Sequence, residues 1–177
     1  MSPQHTRPEA EVYYLTTNVY QCLPIFTRPS FVIPLIDNFN YYRYTHQFKL
    51  IGYVIMPDHL HCIIWLQGES TVSDVMRDFK KFAAVRLIRQ SKVEKPEWHQ
   101  HFQRAGKDAG RDHQVWQDSY WDKVLFSKKF LRQKLNYIHR NPVRAGLVES
   151  PEEYPYSSYR NYVNGDDSLI EIDRDWL

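Results

Sequence analysis

The chain has 177 residues, of which 42% are hydrophobic, 25% charged and 15% aromatic. This length predicts one domain, or one domain with an extended tail, with enough apolar residues for a core. No stretch approaches the roughly 18–20 uninterrupted apolar residues of a membrane-spanning helix, and the polar N-terminus does not resemble a signal peptide. Two cysteines are too few for a disulfide framework, so we expect a cytoplasmic protein with reduced thiols.

Charge is distributed unevenly along the chain, although the net charge is only +2. Residues 71–144 contain 17 Lys and Arg against 8 Asp and Glu, a balance of +9, and the remainder has 6 against 13, or −7. A basic middle between acidic ends is expected if one face of the protein contacts a polyanion. The alternative is that these charges lie on solvated helix faces, so the asymmetry motivates a nucleic-acid hypothesis without establishing it.

The first half of the chain predicts a strand, a helix and a β-hairpin. Val12–Tyr20 is rich in β-branched and aromatic residues, which favours a strand. Apolar residues at helical spacing follow in Ser30–Tyr44, where Pro34 predicts a late start or a kink. Phe48–Met56 and His59–Leu66 are aliphatic runs joined by a Pro-Asp pair, which is typical of a hairpin connection.

The second half predicts two helices, separated by an insertion and a strand. Thr71 is a suitable N-cap for a helix whose apolar residues recur every three to four positions. Residues 91–115 are rich in His, Gln and charged residues, so we expect a long, mobile insertion. Tyr120–Phe126 predicts a further strand, and Ser127 is a suitable N-cap for a helix that ends before Pro142.

These elements follow the order β-α-β-β-α-β, with one more helix at the end. That order predicts an α+β fold, a ferredoxin-like βαββαβ sandwich with an antiparallel central sheet and an added C-terminal helix. We place the domain at residues 11–148, with a flexible N-terminus at 1–10 and a C-terminal tail at 149–177 packed on the domain. The residues expected to fasten this tail are Tyr154, Tyr156 and Tyr159.

Two histidines, His59 and His61, lie two positions apart on the third predicted strand. Because strand side chains alternate between faces, both imidazoles project from the same side of the sheet. Neutral imidazoles so close together suit a divalent cation, although a third ligand and open positions for substrate are also needed. The alternative is a pair of exposed or hydrogen-bonded strand histidines, and the motif by itself leaves both interpretations open.

Tyr137 and Asn141 lie one turn apart on the same face of the last predicted helix. Tyr137 is beside the apolar stripe, where a tyrosine is most often a half-buried packing residue. A tyrosine aimed at a metal-bound phosphate is instead a nucleophile, provided that a cation, a base or a positive surround activates its phenol. Lys134, Arg140 and Arg144 are close enough in sequence to supply the positive charge.

A series of motifs resembles the REP-associated tyrosine transposases, which belong with the single-tyrosine HUH, IS200-like transposases of insertion sequences. The resemblance covers roughly residues 11–160 in the right order, which makes it more specific than any short motif alone. The motifs are YVIMPDHLH at 53–61, WQ at 116–117 with YW at 120–121, YIHRNPV at 137–143, AGLV at 145–148 and YPYSS at 154–158.

The resemblance implies a metal site and a nucleophile. In the fold that it implies, His59 and His61 bind a metal on the central sheet, and Asn141 completes the metal site. Tyr137, on the added helix, is the implied nucleophile. The usual metal of the family is Mg²⁺ or Mn²⁺, and a histidine-rich site is expected to bind Mn²⁺ more tightly.

The reaction implied by the resemblance is metal-assisted cleavage and rejoining of single-stranded DNA. Tyr137 attacks a backbone phosphate, forms a 5′-phosphotyrosine and releases a 3′-hydroxyl, and reversal by another 3′-hydroxyl rejoins the strand. The implied substrates are short palindromic elements that fold into DNA hairpins and are cut at a flanking single-stranded site. Relatives assemble the active site within one chain or across a dimer, so monomer and homodimer both remain open.

The DNA contacts expected from the sequence are cations that pair with phosphates and aromatic rings that stack on unpaired bases. For the tryptophans, packing in the core is the alternative, and we favour it for at least one of them. The expected DNA-binding residues are Arg77, Lys80, Lys81, Arg86, Lys128, Lys129, Arg132, Lys134, Arg140, Trp116 and Tyr120, with Trp121 as a further aromatic residue.

Two features depart from the pattern of the relatives. Asp58 stands where they often carry Asn, and it is either a turn residue or a carboxylate near the metal. In the insertion, His99, His101 and His113 have no accompanying cysteine and a spacing too loose for a zinc site. We therefore interpret the insertion as a candidate DNA-contacting loop.

Two other functions compete with that of a DNA-cutting enzyme. A catalytically silent module that binds hairpin nucleic acid would keep the same residues without activity. A histidine-triad phosphohydrolase generally has another histidine two residues after the second one, and Ile63 occupies that position here. We therefore rank the phosphohydrolase last.

Overall fold

A computed structural model describes residues 11–176, so the flexible N-terminus predicted for residues 1–10 lies outside the described residues. The predicted order of elements is confirmed, with two helices in addition. In chain order the helices and strands are β1 Val12–Asn18, α1 Pro29–Thr45, β2 Phe48–Ile55, β3 His59–Leu66, α2 Val72–Glu94, α3 Pro96–Asp108, β4 Trp121–Val124, α4 Lys128–Arg144 and α5 Tyr159–Asn164.

The four strands form one sheet in the order β2-β3-β1-β4, and each neighbouring pair is antiparallel. Helices α1 and α2 cover one face of the sheet, and α4 covers the other. The structure thus confirms the predicted ferredoxin-like α+β sandwich with an added helix. Of the helices in the described part of the chain, none is long and apolar enough to cross a membrane.

The side chains of β3 point alternately to the two faces of the sheet, and the two sets differ in chemistry. Leu60, Cys62 and Ile64 point into the larger core, under α1 and α2. His61 and Ile63 point to the opposite face, where Ile63 packs in the smaller core under α4. The predicted metal-binding histidines therefore face the helix that carries the predicted nucleophile.

A glycine lets α4 lie close to the sheet. A Cβ atom built on Gly52, in β2, would come within 2.5 Å of Leu135 Cδ1 and 3.3 Å of Ile138 Cδ1. Both of those side chains belong to the buried stripe of α4. The absence of a side chain at position 52 therefore sets the distance between the helix and the strands.

The segment 91–115, predicted as a mobile loop, is mostly helical. Helix α2 continues to Glu94, and Pro96 occupies the first turn of α3, where a missing N–H costs nothing. Phe102 is fully buried, and a Cβ on Gly106 would lie 2.4 Å from the backbone of His113. The prediction was wrong because α3 buries only a narrow stripe, so most of its residues are polar.

Pro34 does not delay the start of its helix, and Pro142 does not end its helix, although the sequence predicted both effects. Helix α1 begins at Pro29 and runs through Pro34, and α4 runs through Pro142 to Arg144. Each proline lies near one end of its helix, so it removes a single intrahelical hydrogen bond. The packing of the flanking residues outweighs that loss.

The C-terminal segment packs along β2. The hydroxyl of Tyr154 donates to the backbone oxygen of Ile55 at 2.8 Å, and Ser157 forms an isolated bridge with Val54. Further along, Ile170 and Ile172 are buried in the larger core. The segment thereby covers the outer edge of β2, which otherwise ends the sheet on that side.

Candidate active site

Two imidazoles lie side by side at the start of β3. The ring centroids of His59 and His61 are 4.7 Å apart, and the planes are inclined by 78°. His59 is half-buried at the end of the strand, whereas His61 is only 6% exposed. The expected proximity of the two rings is therefore present in the fold.

The ring of His61 is held by two hydroxyls of β1. Thr16 Oγ1 lies 2.7 Å and the hydroxyl of Tyr14 3.0 Å from Nδ1, and the Tyr14 ring stacks on the imidazole. Burial, helped by His59 and Lys134, lowers the pKa of His61 to about 3, so the ring is neutral at pH 7. Because both hydroxyls contact Nδ1, the nitrogen Nε2 is left to bind a metal.

The ring of His59 is oriented by the carboxylate that precedes it. Asp58 Oδ1 lies 2.6 Å from Nδ1 of His59, and both side chains are partly exposed. Of the two interpretations of Asp58, this contact supports a carboxylate at the site. A carboxylate on Nδ1 makes Nε2 the more basic nitrogen and fixes the direction in which it points.

Helix α4 brings Tyr137 to the same place. The Tyr137 ring centroid is 6.0 Å from that of His61 and 6.4 Å from that of Tyr14, both in edge-to-face geometry. The buried Leu135 and Ile138 seat the helix on the sheet, which leaves Tyr137 half-buried at the margin of the stripe. All these residues belong to one chain, so the histidines and the tyrosine meet without a second copy.

Two cations flank the phenol of Tyr137. Lys134 Nζ lies 5.4 Å and Arg144 Cζ 5.1 Å from the centroid of the ring. Arg140 is exposed one turn along the helix and lines a depression in the surface beside Tyr137. Positive charge on this side of the helix attracts a phosphate.

The remaining polar group of the candidate site is Asn141, one turn beyond Tyr137. Its Nδ2 atom is buried and makes no hydrogen bond with any described residue. Rotation of the amide exchanges nitrogen and oxygen, so this end of the side chain suits a cation or a phosphate. Two imidazoles whose Nδ1 atoms are already hydrogen-bonded, together with this amide, fit a divalent cation that keeps positions open for substrate.

The candidate site differs from a closed structural metal site. Within residues 11–176 no group of three or more His, Cys, Asp and Glu side chains is arranged to bind a metal. In the segment 91–115, the ring centroids of His99 and His113 are 5.1 Å apart. Among the described residues, no third His, Cys, Asp or Glu side chain completes a metal-binding group with them.

Most of the basic residues predicted on α2 are engaged within the protein. Arg77 pairs with Asp74 at 2.7 Å and with Asp78 at 2.9 Å, and Arg86 pairs with Asp37 at 2.5 Å. Lys80 Nζ donates to the backbone oxygens of residues 117, 118 and 119, the shortest distance being 2.7 Å. Burial lowers the pKa of Lys80. The expectation that Lys80 contacts DNA is thus corrected: it ties the segment before β4 to α2.

The basic residues of α4 are placed differently. Lys128, Lys129, Arg132 and Arg140 are exposed, and Lys134 is half-buried beside Tyr137. Lys81, on α2, is exposed as well. The cations nearest to the candidate site therefore come from the same helix as the predicted nucleophile.

The aromatic residues around β4 divide between core and surface. Trp116 is 5% exposed, and its Nε1 donates to the backbone oxygen of Lys80 at 3.0 Å. The expectation that Trp116 stacks on bases is therefore wrong, and core packing is correct for this residue. Tyr120 is half-buried with its hydroxyl 3.0 Å from Ser73 Oγ, whereas Trp121 is 49% exposed.

Tyr14 and Thr16 are the site residues that the sequence reasoning missed. Their spacing, two apart on a predicted strand, places them on one face, and this signal was available. What the sequence did not show is the register, in which Thr16 lies opposite His61. Without the register, nothing distinguishes these hydroxyls from those of other strand residues.

The sequence of this chain is similar to those of known transposases. Residues 26–141 match the family model "Transposase IS200 like". The protein named "Putative REP-associated tyrosine transposase" in Haemophilus influenzae is 26% identical over 141 residues, which cover 77% of this chain and 76% of that protein. The REP-associated tyrosine transposase of Escherichia coli is 26% identical over 118 residues, which cover 66% of this chain and 57% of that protein.

A solved structure agrees with the fold. A REP-associated tyrosine transposase bound to a REP hairpin superposes with a TM-score of 0.62 at 20% sequence identity, covering 98% of this chain and 99% of that one. Because the family model matches most of the chain, the protein belongs to the IS200-like transposase family. It is a tyrosine transposase by class, an enzyme that acts on DNA, which confirms the resemblance drawn from the motifs.

Proposed function

We propose that this chain cuts and rejoins single-stranded DNA beside hairpin-forming repeats, through a covalent phosphotyrosine and with a divalent cation. The observation that carries the proposal is the 6.0 Å separation between the rings of Tyr137 and His61 within one chain. The hairpin substrate is supported by the solved REP-associated tyrosine transposase, which is bound to a REP hairpin.

In the proposed reaction, the hydroxyl oxygen of Tyr137 attacks the phosphorus of one phosphodiester bond. The new bond joins the tyrosine to the 5′ phosphate of the downstream strand, as the bond from phosphorus to the 3′ oxygen breaks. The phenol gives up its proton, and the leaving 3′ oxygen takes one up. Lys134 and Arg144, beside the ring, supply positive charge that attracts the phosphate to Tyr137. Reversal by a 3′-hydroxyl restores the phosphodiester, so no nucleotide cofactor is consumed.

His59, His61 and Asn141 are the residues that would hold Mg²⁺ or Mn²⁺. When bound, the cation supplies positive charge that offsets the charge of the phosphate in the transition state. The chain's own contribution is to hold the two rings in place through Nδ1, so that their Nε2 atoms remain available. Imidazole ligands favour Mn²⁺ over Mg²⁺.

One chain supplies the histidine pair, the tyrosine and the flanking cations, which supports a site that works within a monomer. The exposed cations of α4 are the ones we assign to the DNA backbone, above all Arg132 and Arg140. Lys and Arg on phosphates give affinity that depends on salt and hardly on sequence.

The test is covalent attachment to a hairpin oligonucleotide with single-stranded flanks, in the presence of Mn²⁺. An oligonucleotide labelled at its 3′ end should give a labelled protein band that resists denaturant, whereas a 5′ label should leave with the released strand. Tyr137→Phe should abolish the band and leave binding nearly intact. Tyr44→Phe is the matched control, because Tyr44 is 76% exposed on α1, across the sheet.

A cleaving Tyr137→Phe variant would contradict the assignment of the nucleophile. Binding of several hairpins by the unmodified protein without any covalent band would favour the catalytically silent module instead.

A further inference from the structure

An exposed aromatic surface adjoins the candidate active site. It lies where β4 meets α4, and we call it the edge surface. Trp121 is 49% and Phe126 82% exposed, although both are large and apolar. The residues of the edge surface are Trp121, Lys123, Phe126, Phe130 and Lys134.

Strand register connects the edge surface to the histidines. In the antiparallel sheet Thr16 lies opposite His61 on one side and opposite Trp121 on the other. Directly opposed residues project from the same face, so His61, Thr16 and Trp121 form one row across the sheet. The Tyr14 ring bridges this row, with its centroid 5.6 Å from that of His61 and 5.4 Å from that of Trp121.

Cations are interleaved with the rings of the edge surface. Lys123 Nζ lies 4.8 Å from the centroid of Phe130, and the Phe130 and Phe126 centroids are 5.4 Å apart. Lys134 Nζ lies 5.7 Å from the centroid of Trp121 and 5.4 Å from that of Tyr137. Within residues 11–176, no carboxylate forms an ion pair with either lysine.

Flat apolar rings with ammonium groups between them suit unpaired nucleotides. Each base offers a face that stacks on an aromatic ring, and each phosphate pairs with a cation. The acidic residue of β4, Asp122, lies opposite Leu15 and so projects from the other face of the sheet. The charge of the edge surface is thus positive, and Lys134 lies close to both Trp121 and Tyr137.

We propose that the edge surface holds the single-stranded nucleotides next to the phosphodiester that Tyr137 attacks. Bases stack on Trp121 and Phe126, and phosphates pair with Lys123 and Lys134. This inference rests on the proposed function, because it assigns the strand that flanks the cleaved bond. It keeps the exposed Trp121 and adds Phe126 as stacking residues, in place of the buried Trp116.

The test measures affinity in a Tyr137→Phe background, where DNA stays uncut. Two substrates are compared, a hairpin with single-stranded flanks and the same hairpin with blunt ends. Trp121→Ala and Phe126→Ala should each weaken binding of the flanked hairpin by about 10-fold, the size expected for one lost base stack. Binding of the blunt hairpin should not change, and Phe126→Tyr should restore affinity because it keeps a ring.

Phe82→Ala is the matched control, since Phe82 is 53% exposed on α2, across the sheet, and lies outside the proposed site. Unchanged affinity for the flanked hairpin in both alanine variants would overturn the proposal. An equal loss with Phe82→Ala would do the same. A change in oligomeric state with unaltered DNA affinity would show that the edge surface binds protein, which also overturns it.

The covalent assay on the chain with Tyr137 intact separates this inference from the proposed function. If that chain forms no covalent band, the proposed function fails, and the two affinities still decide what the edge surface binds. If the band forms while both alanine variants bind flanked DNA normally, only the edge surface loses its role.

Discussion

The two faces of the sheet differ in chemistry although the same strands build both. Under α1 and α2, β3 contributes Leu60, Cys62 and Ile64 to an apolar core. Under α4 the same strand presents His61, whose ring nitrogen meets two hydroxyls of β1. One face of β3 packs in the larger core, and the other combines His61 with Ile63, which packs in the smaller core. A mostly apolar strand can therefore carry catalytic side chains, provided that one of its two faces is not filled by core residues.

The two basic helices show the same contrast. On α2, Arg77 and Arg86 pair with carboxylates and Lys80 with backbone oxygens. On α4, Lys134 and Arg144 lie against the ring of Tyr137. Counting charges along the sequence does not separate these helices, because what matters is which cations already have a partner.

The polar face should make stability depend on pH. His139, on α4, is buried with Nε2 2.8 Å from Ser158 Oγ, and burial lowers its pKa to about 4. The unfolded chain takes up a proton near pH 6.5 while the folded ring stays neutral. Stability present above pH 6.5 is therefore lost as the pH falls towards 4. From His139 alone we expect on the order of 3 kcal/mol over this window.

Urea unfolding without metal at pH 7, 5.5 and 4 measures this loss. His139→Gln keeps a donor for Ser158 but does not titrate, so its free energy of unfolding should fall less steeply with pH. His61 contributes to the slope in both proteins. Equal slopes for the variant and the unmodified chain would contradict the role of burial.

The two hydroxyls on His61 should matter for metal binding. Thr16→Val and Tyr14→Phe each remove one contact to Nδ1, and each should weaken Mn²⁺ affinity by roughly 10- to 100-fold. Thr17→Val is the control, because Thr17 is buried on the other face and its hydroxyl has no partner among the described residues. Calorimetric titration with Mn²⁺ decides the point. Equal affinities in all three variants would mean that the hydroxyls do not position the ring.

The contrast between α2 and α4 predicts how arginine substitutions change DNA affinity, and these effects are smaller than those expected for metal binding. Arg132→Gln or Arg140→Gln, on α4, should weaken binding of single-stranded DNA several-fold. Each should also reduce the slope of log affinity against log salt concentration by about one, as expected for one lost phosphate contact. Arg77→Gln and Arg86→Gln, on α2, should change both less because these cations already have partners. Fluorescence anisotropy over a range of salt concentrations measures both. A larger loss of DNA affinity for the α2 variants than for the α4 variants would contradict this assignment.

Local patterns were sufficient to predict most elements and the two key motifs. The cap of α2 is an example, since Asp74 N lies 3.2 Å from Thr71 Oγ1 in the capping box that the sequence suggests. The side-by-side placement of His59 and His61 also follows from alternation along one strand. Such features depend on residues a few positions apart.

Features that depend on distant residues were not predictable in the same way. Trp116 is buried because the chain before β4 folds back over α2, which brings it to Lys80. The contact of Tyr14 with His61 depends on strand register, and the closeness of α4 depends on Gly52. The polar composition of α3 conceals a helix anchored by Phe102. Each of these requires knowledge of which segments meet.

The claim at the centre of this description is that one chain holds the whole site. Tyr137→Phe lacks the proposed nucleophile, and His61→Ala lacks a proposed metal ligand. If the site were shared between two chains, a mixture of the variants would pair the intact tyrosine of one with the intact histidine of the other. We predict that the mixture forms no more covalent adduct with hairpin DNA than either variant alone, while the unmodified chain forms it readily. Recovery of adduct in the mixture would contradict the single-chain site.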